Sequence, residues 1–427
     1  MTVELLPGSR SGIAEAPPSK SYAHRLLIAA ALSDCGCVVG NTGTSDDIEA
    51  TSECLSGLGA EIIRLPGGAA EVKPVSGNKA FPGNKQITVN ARESGSTLRF
   101  LLPVAGALGA NVTFKMEGRL PERPMDDYID SLKKGGMEIV KEGAELRCSG
   151  RLVPGTYEIP GNVSSQYISG LLFALPLLEG DSRILIKGTA ESKAYAGMTA
   201  EVLGLFKANI EKTDGGYVIG GGRGLKSPEN RMLVTEGDYS GAAFLLATGA
   251  FSKKGVAVSG LNPDSGQGDR KITEILERFG AKVEKSGGLI KVSQGEMKGT
   301  VIDAQEIPDL VPVLATAACG AAGETRIINA ARLRFKETDR LKTTAELINT
   351  LGGKAEETPD GLIIQGREVT GGLTGGSCES FSDHRIAMAA ALASCIAKTK
   401  ISINGAECVR KSFPGFFEVF GKLEIEN

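Results

Sequence analysis

The sequence predicts an α/β chain of repeated α+β units divided between two domains, and three observations carry that expectation. A short polar cluster opening an apolar, small-residue segment recurs six times. A second marker, a helix that ends near glycine before an alternating strand, keeps the same interval. The length of 427 residues exceeds what one ordinary hydrophobic core encloses, so two cores are expected.

The first polar cluster is Pro18-Ser19-Lys20-Ser21-Tyr22-Ala23-His24-Arg25, followed by the apolar run Leu26 to Leu32. Hydroxyl residues before an apolar run mark a helix N-terminus. Its unpaired N–H groups and positive dipole end suit a phosphate or a carboxylate, and Lys20 and Arg25 add full charges. Taken alone, the same run also fits a capped core helix. The pattern returns at Glu93–Phe100, Val163–Tyr167, Glu236–Gly241, Glu306–Leu310 and Phe381–Arg385, at intervals of roughly 70 to 75 residues. The second marker appears near Gly59, Gly136, Ala208, Gly280, Gly353 and Gly421. The sixth copy runs out at the C-terminus, so Val3 to Ile13 is expected to supply its missing remainder. First and last segments would then be neighbours.

Between these markers, Thr42 to Asp47 caps a helix expected over Ile48 to Leu58, and its acids suit the helix dipole as well as any site. Met116 to Met125 reads as a loop with two arginines ending at a helix start, and Ser192 to Tyr195 as another polar loop. The glycine-rich Gly220 to Ser227 is not a Walker A loop, because Leu225 precedes Lys226 where glycine is required. Arg332 to Lys342 places Glu337 among five cations. Such an acid rests as a carboxylate unless bound anions cancel the cations, which points to an anion site holding a proton-transfer group.

A net charge of −3, without a basic tail, argues against a nucleic-acid or membrane binder. Leu26–Leu32 and Ile386–Ile396, the longest apolar stretches, are too short to span a bilayer. Residues 1–10 carry no signal pattern. Eight cysteines without a CxxC pair, and histidines only at 24 and 384, read as buried free thiols rather than a metal site. A cytoplasmic protein is expected. The lack of tryptophan and scarcity of other aromatics suggest a core of small aliphatic side chains.

Several runs together resemble the 5-enolpyruvylshikimate-3-phosphate synthase family, the 3-phosphoshikimate 1-carboxyvinyltransferases. They are Ser19-Lys20-Ser21 with His24-Arg25, Lys336-Glu337-Thr338-Asp339-Arg340-Leu341 and Asp383-His384-Arg385. Glu122-Arg123-Pro124, Ser164-Ser165-Gln166, Ile307-Pro308-Asp309 and Lys411-Ser412-Phe413-Pro414 agree, in family order from residue 19 to about 417. The resemblance implies two domains, residues 21–233 and residues 1–20 with 234–427. Each would hold three βαβαββ units whose helix N-termini face an interdomain cleft. It also implies transfer of the enolpyruvyl group of phosphoenolpyruvate to the 5-hydroxyl of shikimate 3-phosphate, with no metal or organic cofactor. A monomeric cytoplasmic enzyme of the shikimate pathway, serving aromatic amino-acid biosynthesis and targeted by glyphosate, is the corresponding expectation.

Carried over by position, Lys20, Ser21, Arg25, Ser164, Ser165, Gln166, Ser192, Tyr195, Asp309 and Lys336 resemble ligands of shikimate 3-phosphate. Lys20, Gly95, Arg123, Gln166, Arg340, Arg385 and Lys411 resemble ligands of phosphoenolpyruvate. Asp309 matches the base at the 5-hydroxyl, Glu337 the acid at the methylene, and Lys20 reaches the transferred group. Three positions depart from the pattern: Glu93 where asparagine is common, Arg332 where some members place asparagine, and Ala194 where proline is frequent. The related UDP-N-acetylglucosamine enolpyruvyltransferases carry a cysteine in the loop equivalent to 116–125, and this loop has none. A nucleic-acid-binding repeat ring would need a broad basic surface, whereas the cations here gather in the motifs.

Overall fold

Residues 1–75, 86–161, 163–188, 193–366 and 372–426 are described by a computed structural model. Among them run α1 (Lys20–Leu32), α2 (Asp46–Gly57), α3 (Gly95–Leu108), α4 (Asp126–Lys134), α5 (Ser165–Ala174) and α6 (Lys193–Leu205). They continue with α7 (Tyr239–Gly249), α8 (Ile272–Phe279), α9 (Val311–Ala318), α10 (Arg340–Thr350), α11 (His384–Ala393) and α12 (Phe416–Gly421). The chain falls into two compact units, Met1–Pro17 with Glu236–Asn427 and Pro18–Thr235.

Each polar cluster does start a helix. Ser19, Ser94 and Ser164 accept a backbone N–H in the first turn of α1, α3 and α5, and Asp238 and Asp383 do so for α7 and α11. Such a cap is worth about 1 kcal/mol against alanine. In the fifth copy a 3-10 turn, Pro308–Leu310, runs into α9 instead. The helices opened this way are buried on nearly every side, and every residue of α7 is buried. Alanine-rich surfaces allow that close packing. The intervening helices are amphipathic: α8 buries Ile272, Ile275, Leu276 and Phe279 and exposes Glu274 and Glu277.

The repeat closes as a small sheet. In the second copy Gln86–Asn90 lies parallel to Asn111–Lys115, with Val89 opposite Phe114. The strands Glu145–Gly150 and Met137–Glu142 then add antiparallel. Parallel pairing demands a crossover, and the buried helix α3 provides it. Three such sheets lie in each unit among the described residues.

At the unit boundaries two strands are exchanged. Arg10–Glu15 leads into α1, yet it pairs in parallel with Val256–Ser259, which follows α7. Met232–Val234 leads into α7, yet it pairs with Cys37–Gly40, which follows α1. This corrects the expectation for the N-terminal segment. Thr2–Leu5 does complete the sixth copy, with Val3 opposite Ile403. Arg10–Glu15 instead belongs to the fourth copy's sheet, where Glu424–Ile425 joins its other edge. Alternating polarity identifies a strand but not its partner. A second correction concerns the expected loop at 192–195: its described residues 193–195 form the first turn of α6. Six cysteines are buried and two half-buried, all free, with Cys37, Cys148 and Cys378 on strands rather than in helices.

α3 packs directly against α5. Gly170 faces Arg99 O, the Tyr128 hydroxyl and the Pro103 ring, all of which a β-carbon would overlap. Gly170→Ala is therefore expected to destabilise the chain by about 1–3 kcal/mol. A urea midpoint equal to that of the wild type would show that the two helices can part freely.

Candidate active site

In the unit formed by residues 1–17 and 236–427, one side chain organises the functional groups. Arg340 opens α10 and is 1 % exposed. Its Nε and Nη2 hold Asp383 at 2.7 and 3.2 Å, its Nη1 donates to Asp309 at 2.9 Å and its Nη2 to Glu337 at 2.7 Å. Further cations approach the same acids: Arg385 Nη2 and Lys336 Nζ stand 3.2 and 3.7 Å from Asp309, and Lys411 Nζ stands 3.9 Å from Glu337. Four cations thus face three carboxylates. Asp383 also caps α11 by accepting Arg385 N–H, so one carboxylate orients both arginines.

Burial alone would raise the Asp309 pKa. The charges of Arg385, Lys336 and Arg340 outweigh that effect, and Glu337 only partly opposes them, so the carboxyl is held well below its usual range. Arg340 shows the mirror effect: burial disfavours its charge, but Asp383, Glu337 and Asp309 raise its pKa. Lys336 falls to about 8, through burial first, with Asp309 opposing and Arg340 and Arg332 reinforcing the shift. Asp269, missing from the sequence reading, is pushed up to about 7 by burial first and then by Asp309. It bonds the Ser240 hydroxyl at the start of α7.

The unit 18–235 carries a second cluster. Lys20 pairs with Asp47 at 2.7 Å, so the acidic start of α2 anchors the cation at the start of α1. Gly95 opens α3 beneath two guanidiniums: a β-carbon there would lie 2.9 Å from Arg123 Nη1 and 3.0 Å from Arg99 Nη1. Arg99 donates to Gln166 Oε1 at 2.7 Å, and Gln166 Nε2 donates to Ser96 at 2.9 Å. Neighbouring like charges of this kind make an anion-binding position. Ser164, as the cap of α5, keeps its own hydroxyl proton for another acceptor.

Arg25 is more committed to the fold than the sequence suggests. It donates to Ser21 O, Thr199 Oγ1, Tyr195 O and Ser169 Oγ, tying α1 to α5 and α6. Burial lowers its pKa to about 10. Ser21 and Tyr195 lie half-buried beside it, and Ser165 sits at the start of α5. Ser192 lies outside the described residues. Glu93 is turned so that its Oε1 packs on Gly118, where a β-carbon would overlap it. The five cations around Glu337 in sequence also separate in space. Arg334 pairs with Asp339 and Glu357, Arg332 donates to the Gln305 carbonyl, and Arg340 bonds Glu337. Lys411 arrives from another motif.

Lys336 offers a pH test. Its ordinary pKa is 10.5, and the folded value is about 8. Between those values the unfolded chain binds more protons, so this group's contribution to stability rises with pH. The stability difference between wild type and Lys336→Met should shift in favour of the wild type between about pH 7.5 and about pH 9.5 in urea melts. An unchanged difference would mean that the ammonium is not desolvated.

Residues 7–420 match the EPSP synthase (3-phosphoshikimate 1-carboxyvinyltransferase) family. The chain is 43 % identical over 424 residues to a 3-phosphoshikimate 1-carboxyvinyltransferase of Clostridium kluyveri, covering 99 % of this chain and 97 % of that one. It is 40 % identical to the corresponding protein of Clostridium beijerinckii, with the same coverage. Among solved structures, an EPSP synthase from Acinetobacter baumannii superposes with a TM-score of 0.79 at 25 % identity, over 100 % of both chains. An enolpyruvyl transferase from Streptomyces tendae shares the fold, with a TM-score of 0.77 at 15 % identity, over 100 % of this chain and 98 % of that one. With its motifs in family order and a match spanning nearly its whole length, the chain belongs to the EPSP synthase family.

Proposed function

We infer that the chain transfers the enolpyruvyl group of phosphoenolpyruvate to the 5-hydroxyl of shikimate 3-phosphate and releases phosphate, a step of aromatic amino-acid biosynthesis. The observation that carries the residue assignment is the convergence of Arg340, Arg385, Lys336 and Lys411 on the acids Asp309 and Glu337. Both substrates are polyanions, and fixed cations with backbone donors are what such ligands require.

In this reading Arg123, Arg340, Arg385 and Lys411, with Gly95, Lys20 and Gln166, hold phosphoenolpyruvate. Ser21, Arg25, Ser164, Ser165, Gln166, Ser192, Tyr195 and Lys336 hold shikimate 3-phosphate. Asp309 accepts the proton of the 5-hydroxyl as that oxygen attacks C2 of phosphoenolpyruvate. Glu337 delivers a proton to C3, which turns the methylene into a methyl group. The tetrahedral adduct then loses phosphate from C2 and a proton from that methyl, which restores the double bond. A strongly ionised Asp309 is a weak base. Bound phosphoenolpyruvate would cancel part of the field of Arg385 and Arg340, raise the Asp309 pKa and so strengthen it when it is needed.

In this reading the enzyme works as a monomer in the cytoplasm. The buried free thiols suit a reducing compartment. Among the described residues no helix is long and apolar enough to cross a membrane.

Phosphate release with phosphoenolpyruvate and shikimate 3-phosphate tests the reaction. Release only when UDP-N-acetylglucosamine replaces shikimate 3-phosphate would overturn it. Glu337→Gln should lose roughly 10²-fold or more in kcat with modest change in either KM; near-normal turnover would remove Glu337 as the acid. Gly95→Ala should raise the KM for phosphoenolpyruvate by about tenfold, because the new methyl meets Arg123 and Arg99. Glyphosate inhibition should weaken further still, and equal inhibition of both forms would place Gly95 outside the pocket.

A further inference from the structure

Pro103 lies inside α3 and has no N–H, so the carbonyl of Arg99 four residues earlier loses its partner within the helix. The Tyr128 hydroxyl, from α4, donates to that carbonyl at 3.0 Å. Gly170 leaves the space in which it does so. The Tyr128 ring is stacked on Tyr167, with centroids 4.4 Å apart and planes inclined by 12°. Both tyrosines are fully buried. Tyr167 in turn donates its hydroxyl to the carbonyl of Pro124, the residue that follows Arg123. Arg99 donates to the same carbonyl at 3.3 Å and stands 5.5 Å above the Tyr167 ring.

We propose that Tyr167 is a positioning residue whose hydroxyl, held in place by the Tyr128 stack, pins the Pro124 carbonyl and thereby keeps the Arg123 guanidinium at Gly95. The need for a pin is electrostatic. Arg123 and Arg99 both crowd the space over Gly95, and like charges that close repel each other strongly in a partly desolvated setting. Pro124 has no N–H with which to anchor this segment, so its carbonyl is the available handle. Arg99 is held by Gln166, whose main chain continues directly into Tyr167, so one short stretch of α5 fixes both arginines. A break in α3 thus leads, through two tyrosines, to the placement of a substrate-binding cation. The assignment of Arg123 to phosphoenolpyruvate rests on the function inferred above.

The test compares two variants of the full chain that each delete one hydroxyl from the same stack. Tyr167→Phe should raise the KM for phosphoenolpyruvate about tenfold, while kcat and the KM for shikimate 3-phosphate stay within about threefold. Tyr128→Phe, which strands the Arg99 carbonyl, should lower Tm without moving the phosphoenolpyruvate KM. An unchanged phosphoenolpyruvate KM in Tyr167→Phe, or an equal rise in Tyr128→Phe, would overturn the proposal. A crystal structure of Tyr167→Phe gives a readout independent of turnover: Arg123 displaced from Gly95 supports the pin, and Arg123 unmoved overturns it. A wild-type chain without phosphate release would sink the functional reading alone, leaving the crystallographic outcome to decide the pin.

Discussion

The arrangement of Asp309, Glu337, Arg385, Lys336 and Lys411 in the unit 1–17 and 236–427 depends on the burial of the Arg340 guanidinium among Asp383, Asp309 and Glu337. Placing one full charge in the interior is unfavourable, and removing one partner of such a group typically costs about 3–5 kcal/mol. Three acids from three separate segments are therefore obliged to meet there. Their meeting fixes the start of α9, the turn before α10 and the first turn of α11 against one another. Asp383 is the fully buried member, bonded through both oxygens and also capping α11. It sets the frame, and the half-buried Asp309 and Glu337 are left with an exposed side.

That frame explains how a site can hold so many like charges before a ligand arrives. Asp309 and Glu337 stand in for anions, each drawing a second or third cation toward itself. Lys20 has the same kind of resident partner in Asp47. At Gly95 the solution differs: Arg99 is held by neutral acceptors, the Gln166 amide and the Pro124 carbonyl. Groups that balance cations internally are also the groups whose pKa changes when a ligand takes over that role. Acid–base chemistry and anion binding are thereby coupled through the same field.

The helix starts were legible because local chemistry produces them. Ser19, Ser94, Ser164, Asp238 and Asp383 cap through contacts with residues only two or three positions away. The repeat interval was legible for the same reason, since each copy restates its own helix start and its own helix end. Strand pairing was not, because it joins residues that are distant in sequence. Arg10–Glu15 carries nothing that names Val256–Ser259 as its neighbour, and the exchange with Met232–Val234 follows only once both units have closed their sheets.

The sequence by itself determined six helix starts, five of them closed by a side-chain cap and one opened by a 3-10 turn, the buried and amphipathic helices between them and, through its motifs, the family. Tertiary structure alone decided which charges meet. Arg334 and Arg332, beside Glu337 in sequence, turn away to Glu357 and to the Gln305 carbonyl, while Lys411 comes in from a distant turn. Glu93 is directed to Gly118, Arg25 is drawn into the packing of three helices, and Asp269 is buried behind Ser240. The physical reason is range. A cap is satisfied within one turn of its own helix, whereas a buried charge accepts whatever opposite charge the folded chain carries to it.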